Sequence, residues 1–412
     1  MLDLNFRLPE YDTALAALPA PPATEVASNE RYWTQVRSVY QVSTQYANLE
    51  NGFWGPMAQP VKAMLAHWSE RVNFENTALI RAHWPLAEEH IRMHVAQALG
   101  CAVDEVALTR GATEGMLALI SGFKELRPGE QVLYCDLDYP AMRHAMQWLQ
   151  ERRGVQALAF AMPEPATQSD IMQAYAEQLQ RHPNIRLVLL THISHATGLV
   201  LPVAQLSAMA QAAGAQVIVD AAHSWGQMDF QIRDLQAPFV ALNLHKWIGA
   251  PLGCGCIYIR RDRLAAIDRY FGDAQFNDLD VRSRIHTGTP NFAAWLSIPA
   301  ALQLHQHIGA RAKAARLHAL RNTWVEQMSA LHQIEITTSA DTSAGITSFR
   351  IKGQTSPIQN MALAARLKNE HGVLVVQRDG PCKGSVLRVT PAITSTHAEL
   401  ERLVQAIHNI TQ

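Results

Sequence analysis

From about residue 85 the chain alternates between two textures. One is a short, near-continuous apolar run. The other is a longer stretch with apolar residues every three or four positions. "EVALTR", "EQVLYCDL", "VQALAF", "IRLVLLTHI", "AQVIVDAAH", "FVALNLH" and "GCGCIYIR" belong to the first kind and read as strands. Between them, "TEGMLALISGFKEL", "PAMRHAMQWLQERRG", "SDIMQAYAEQLQRH" and "PVAQLSAMAQAAG" read as helices. Before the first strand, "PLAEEHIRMHVAQALG" predicts a helix stopped by Gly100. Apolar strands separated by helices predict a mostly parallel sheet of the seven-stranded type, covered on both faces.

Beyond about residue 300 the pattern changes. A long helix over roughly 299–331 is predicted, followed by strands at "IEITTS", "TSFRIKG", "VLVVQR" and "SVLRVTP". Helices at "IQNMALAARLKNEHG" and "HAELERLVQAIHNI" complete a smaller α+β unit. The expected division is an Ala- and Pro-rich arm over 1–45, a large α/β domain over 46–300 and a small C-terminal domain over 301–412.

Composition narrows the partners. The 412 residues are 48% hydrophobic and 17% charged, with 35 basic against 36 acidic side chains. That balance, with no long basic run, points away from nucleic acid and from anionic membranes. No apolar run approaches membrane length. The start, "MLDLNFRLPEYDTALAALPAPPATEV", has no basic block followed by an apolar one, so no signal peptide is expected and the protein is read as cytoplasmic. Five cysteines, an odd number with no zinc-type spacing, fit a reduced compartment. Cys254 and Cys256 read as small apolar fillers of a strand.

In an open α/β sheet, ligands gather at the carboxyl ends of the strands. Gly111-Ala112-Thr113 follows the first strand and opens a helix, whose free N–H groups and positive end suit an anion. No Gly-Lys-Ser/Thr follows, so it is not a Walker loop. Tyr139 follows the second strand and offers a ring face. His192, Ser194 and His195 follow "IRLVLL"; His192 reads as a core residue, and a metal pair lacks a third ligand nearby. Asp220 and His223 follow "QVIV", where a carboxylate is buried and needs a cation. Asn243-Leu244-His245-Lys246 closes the series. A phosphate-bearing aromatic aldehyde needs such a set. A desolvated lysine forms the Schiff base, a carboxylate keeps the pyridine nitrogen protonated, a helix start holds the phosphate and an aromatic ring stacks.

These residues resemble the class-V aminotransferase superfamily of pyridoxal-phosphate enzymes, fold type I, and within it the isopenicillin N epimerase-like branch. The likeness rests on "LENGFWGP", "TRGATEGM", "DLDYPA", "THISHATGLVLPV", "VDAAHSWGQ", "NLHKWIGAPLGCGCIYI", "GTPN" and "VLRVTPAITSTHAELERLV", in that order along nearly the whole chain. The resemblance implies that Lys246 is the Schiff-base lysine, Asp220 the pyridinium partner, His223 a neighbour of the ring and Tyr139 the stacking residue. Ala112, Thr113, Asn243 and His245 would hold the phosphate, with His195 near the cofactor. Thr289 would reach the phosphate of a second copy, which implies a homodimer with shared sites. Arg388 would clamp a substrate carboxylate, its planar fork suiting that task. Arg378 would be a second contact and Phe53 a bulky wall.

The chain also departs from the pattern. His195 stands where related desulfurases carry asparagine, and "GTPN" lacks the Arg-Asp frequent in the epimerase branch. Cys382 lies near the desulfurase nucleophile loop, but that loop is shorter here. The resemblance implies an enzyme acting on an amino acid, or a metabolite bearing one, through an external aldimine and removal of the Cα proton. Racemisation, transamination and C–S elimination all stay open. So do a desulfurase using Cys382 and a catalytically silent scaffold of the same fold. A nicotinamide dehydrogenase is disfavoured, because "GCGC" runs into a strand rather than a helix.

Overall fold

The computed structural model describes residues 8–412. The first seven residues of the expected arm lie outside the described residues. The remainder of that segment carries two helices, α1 (Pro9–Ala17) and α2 (Glu30–Ser38), laid against the body. The Tyr11 hydroxyl donates to the Ala300 carbonyl at 2.6 Å, and Trp33 is buried under the Arg316 guanidinium. A short strand, β1 (Ala47–Asn48), precedes a helical run, α3 (Gln59–Leu99). This run begins far before the helix predicted at residue 85. It bends at Asn76, which sits at φ 50°, and carries Pro85 inside it, where the proline ring marks no start. It stops at Gly100, whose φ of 71° ends the helix in the left-handed region as the pattern predicts.

The central sheet contains β2 (Val106–Thr109), β3 (Gln131–Cys135), β4 (Gln156–Phe160), β5 (Ile185–Thr191), β6 (Gln216–Ala221), β7 (Phe239–Asn243) and β8 (Gly255–Ile259). Its order is β2-β8-β7-β6-β5-β3-β4. Only β8 runs against its neighbours. The helices α4 (Ala112–Gly122), α5 (Pro140–Arg153), α6 (Gln168–Arg181) and α7 (Val203–Ala212) connect these strands. This is the mostly parallel α/β sheet that the texture predicts. The strands β5, β6 and β7 are almost wholly buried, because helices cover both faces. Cys254 and Cys256 are free and buried, as fillers are.

The long helix predicted over 299–331 is three pieces: α8 (Phe292–Leu296), α9 (Ile298–Ile308) and α10 (Ala310–Ser329). Gly309 at φ 88° breaks the last two, a backbone geometry no helix interior accepts. The C-terminal part continues with β9 (Ile334–Ile336), β10 (Thr347–Ile351), α11 (Pro357–His371), β11 (Val373–Leu374), β12 (Val376–Arg378), β13 (Val386–Val389) and α12 (His397–Thr411). The single strand read at "VLVVQR" divides. Its first half pairs with β1, and its second half joins the antiparallel sheet β12-β13-β10-β9.

This second sheet is tied to the first beside the loop that follows β5. Ser348 donates its hydroxyl to the Ala196 carbonyl at 2.6 Å, and Gln227 Oε1 accepts from the Gly345 and Ile346 N–H groups at 2.8 and 3.1 Å. Arg350, buried, pairs with Glu164 at 2.5 Å.

α4 approaches the sheet closely enough that only glycine fits at 115. A Cβ there would lie 2.6 Å from Ile257 Cγ2 and 3.1 Å from Ala241 Cβ. Gly115→Val is therefore expected to destabilise the protein by about 1–3 kcal/mol through overpacking. A denaturant titration checks this, and an unchanged midpoint would show that the helix has room to shift.

Candidate active site

One cleft of about 1280 Å³ gathers most of the residues singled out from the sequence. Phe53, Ala112, Thr113, Tyr139, His195, Asp220, His223, Asn243, His245, Lys246, Arg378 and Arg388 all line it. Thr289 does not. It is exposed, in the turn that leads to α8.

Lys246 follows β7 in a tight turn. Its backbone is held from three sides. The Gly55 N–H donates to the His245 carbonyl at 3.1 Å, and a Cβ on Gly55 would lie 2.1 Å from the Lys246 carbonyl oxygen. Gly226, at φ 87°, packs against Trp247 with no room for a side chain. Lys313, buried on α10, donates to the Trp247 carbonyl and lies 3.2 Å from His305 Nδ1. Neither Lys313 nor His305 was found from the sequence. The only available signal was a lysine on the buried stripe of an amphipathic helix, beside Ala312, Arg316 and Leu317.

The Lys246 amine is hydrogen-bonded to His223 Nε2 at 3.0 Å. Burial pushes its pKa down from 10.5 to about 7. Asp220 and Glu50 oppose that shift, while Arg388 and Arg378 add to it. His223 is held well below its ordinary pKa, chiefly by burial and next by the Lys246 charge. It is thus a neutral ring, and its buried Nδ1 has no protein partner. Asp220 is the last residue but one of β6, buried, with Oδ1 accepting from the Ala222 N–H at 2.9 Å. Burial raises its pKa, against the Ala222 hydrogen bond and the Lys246 charge.

At the start of α4, Gly111 lies flat against Gly255. A Cβ on Gly255 would be 2.5 Å from Gly111 Cα. The Ala112 N–H donates to Asn243 Oδ1 at 2.7 Å, so these two residues bind each other. The His245 ring is turned by its Nδ1 contact with the Cys254 carbonyl at 2.9 Å. Across the cleft, the Tyr139 and His195 rings meet edge to face, 5.1 Å apart. Burial, with Arg388 next, pushes His195 down to about 3, and its buried Nδ1 lacks a protein partner.

His192 stays out of the cleft and packs against Phe230, as the core reading expects. Cys382 is also absent from the lining. Its exposed thiol donates to the Met162 carbonyl at 3.4 Å, and burial of the sulfur leads the causes that raise its pKa. The C-terminal sheet delivers the arginines, with Arg388 on β13 and Arg378 on β12. Both meet Glu50, which the sequence reading passed over although it lies inside the quoted "LENGFWGP".

Only the neutral amine attacks an aldehyde. Trapping of Lys246 by a small aldehyde and borohydride, read by peptide mass spectrometry, is expected to rise about tenfold per pH unit below 7. It should level off above about 7. Labelling that keeps rising to about pH 10, as for an ordinary lysine, would mean that the amine is hydrated.

The sequence model of the family described as aminotransferase class-V matches residues 65–403. An isopenicillin N epimerase of Streptomyces clavuligerus is 25% identical over 404 residues, covering 92% of this chain and 98% of its own. A cysteine desulfurase of Pectobacterium carotovorum is 25% identical over 343 residues, covering 79% and 82%. Among solved structures, the apo cysteine desulfurase of Thermococcus onnurineus superposes with a TM-score of 0.77 at 19% identity, covering 92% of this chain and 97% of that one. This last likeness concerns the fold.

Proposed function

The chain belongs to the class-V aminotransferase family, and on that premise we propose that its cleft holds pyridoxal 5'-phosphate and removes the Cα proton of an amino acid or an amino-acid-bearing metabolite. The observation that carries this reading is a buried lysine amine of lowered pKa near a buried carboxylate, where adjacent strands end. Other features fit the group. His223 and His195 each keep a buried ring nitrogen without a protein partner. The Gly111–Gly255 contact brings the start of α4 to the cleft with no side chain in the way.

When bound, the cofactor supplies an aldehyde for the amine and a protonated pyridine ring that draws electrons from Cα. In this reading Asp220 holds the proton on the pyridine nitrogen, because a carboxylate in so dry a place gains most by facing a cation. Thr113, with the α4 dipole, and His245 face the phosphate. Asn243 supports them through its bond to the Ala112 N–H. Tyr139 and His195 close one wall, and Phe53 and Arg378 stand on the substrate side. Lys246, with its amine free, would take the Cα proton on its Nζ. Its lowered pKa suits a base working near neutrality. His223, already bonded to that amine, orients it.

The position of Cys382, off the cleft and bonded toward Met162, weighs against a desulfurase that uses it. Epimerisation, transamination and elimination share the proton transfer and diverge only after it. Thr289, exposed and away from this cleft, would serve the cleft of a second copy in a homodimer. No helix among the described residues is long and apolar enough to cross a membrane.

Every one of these routes breaks the Cα–H bond. Proton NMR in deuterium oxide across a panel of L- and D-amino acids is expected to show loss of the Cα signal for at least one of them. Lys246→Ala should slow that loss about a thousandfold or more and abolish the visible absorption of the lysine-bound cofactor. A wild-type protein that binds the cofactor yet leaves the Cα signal of the whole panel intact would rule out free amino acids as its substrates.

A further inference from the structure

The two arginines at the substrate end of the cleft already hold a carboxylate behind the lining, that of Glu50. Glu50 Oε1 accepts from Arg388 Nη2 at 2.6 Å and from Arg378 Nη2 at 3.2 Å, and its Oε2 lies 3.2 Å from the Thr390 hydroxyl, which it shares with the Leu49 carbonyl at 3.1 Å. Backbone bonds aim it there. The Thr390 N–H donates to the Leu49 carbonyl at 2.8 Å, and the Asn51 N–H donates to the Thr390 carbonyl at 3.2 Å. The other terminal nitrogen of Arg388 donates to the His195 carbonyl at 2.7 Å. Gly52 lies on the guanidinium, where an added Cβ would be 2.7 Å from Nη2. Both prongs of the Arg388 fork are thus engaged by the protein itself, and its side chain is only 2% exposed.

A substrate carboxylate cannot pair two-pronged with Arg388 while Glu50 stays. Two guanidinium groups and one carboxylate leave a single net positive charge at this end. An incoming carboxylate would meet Glu50 at close range, where like charges repel strongly. If Glu50 turns out as the substrate enters, one carboxylate replaces another on the same arginines, and no buried charge is left unpaired. Glu50 itself is 14% exposed on its side chain, which gives it a path to water.

We propose that Glu50 is a specificity-determining residue, an internal carboxylate that masks Arg388. With the mask in place, the cleft takes amines that carry no carboxylate beside the reacting nitrogen. With Glu50 turned away, it takes α-amino acids. The proposal rests on the amine-handling reading above and extends it to two substrate classes.

The test is calorimetry with propionate, a carboxylate that has no amine to react, on the cofactor-loaded protein. Glu50→Gln keeps the shape and removes the charge. It is expected to bind propionate roughly tenfold more tightly than wild type. In exchange of the hydrogen on the amine-bearing carbon, its KM for L-alanine should fall and its KM for n-propylamine should rise, because an ammonium then faces two unneutralised arginines. A propionate affinity changed by less than about threefold, or KM values that move in the same direction, would overturn the mask. Propionate needs only the arginines. A sample without the visible cofactor band would therefore count against the pyridoxal-phosphate reading, while its propionate affinity still decides this one. Should the variant not fold, crystals of the wild-type protein grown with propionate decide the matter. Propionate on Arg388 with Glu50 turned out supports the mask. An intact Glu50–Arg388 pair, with propionate elsewhere or absent, overturns it.

Discussion

Everything in this cleft depends on an amine placed where water cannot reach it well. Burying an ammonium costs several kcal/mol even after the protein relaxes, and without a close, full counter-ion that energy is not returned. Lys246 responds by becoming a weaker base, and its amine is hydrogen-bonded to the His223 ring rather than to a carboxylate. The surroundings maintain this state. Asp220 is near enough to oppose the shift but does not form a salt bridge with it, and two arginines push the other way. Rigid backbone keeps the amine from escaping to solvent. Gly55, Gly226 and Lys313 clamp the Lys246–Trp247 peptides from three directions.

The charges on the opposite wall form a second system. Arg388 is almost wholly enclosed, and a guanidinium so placed requires an anion. Glu50 provides one from within the chain, and Thr390 holds the spare oxygen. The depressed Arg388 pKa, about 10, shows how far burial outweighs even this partner. Arg378 is more exposed and shares the same oxygen, which makes it the adaptable member of the pair. The site is therefore built around excess positive charge, partly neutralised at each end by one carboxylate.

These two systems come from separate layers. The amine and Asp220 belong to the parallel sheet, the arginines to the antiparallel one, and Glu50 to the segment between β1 and α3. The Ser348–Ala196 and Gln227–Ile346 hydrogen bonds fix the layers against each other beside the cleft. Gly198 lets the backbones touch, since a Cβ there would lie 2.1 Å from the Ile346 carbonyl oxygen. A shift of this contact would move the arginines relative to the lysine without changing either sheet.

The sequence by itself determined the sheet and the order of its elements, because apolar periodicity is a local property that burial enforces strand by strand. It also determined Lys246, Asp220, His223, Tyr139 and the start of α4 as neighbours, since a parallel sheet places all its strand exits on one edge. Element ends were less legible. The helix predicted from Pro85 begins at Gln59, and the one predicted over 299–331 breaks at Gly309, because proline and glycine act through geometry that the neighbours decide. Only the tertiary structure decided which residues meet across long separations. Glu50 finds Arg388 across 338 positions, Lys313 reaches Trp247 across 66, and the Ala112 N–H is taken by Asn243 across 131. Such pairs leave no periodic trace in a chain. Each is selected because a buried charge or donor must find a partner, and which partner lies within about 3 Å is settled only when the layers have packed.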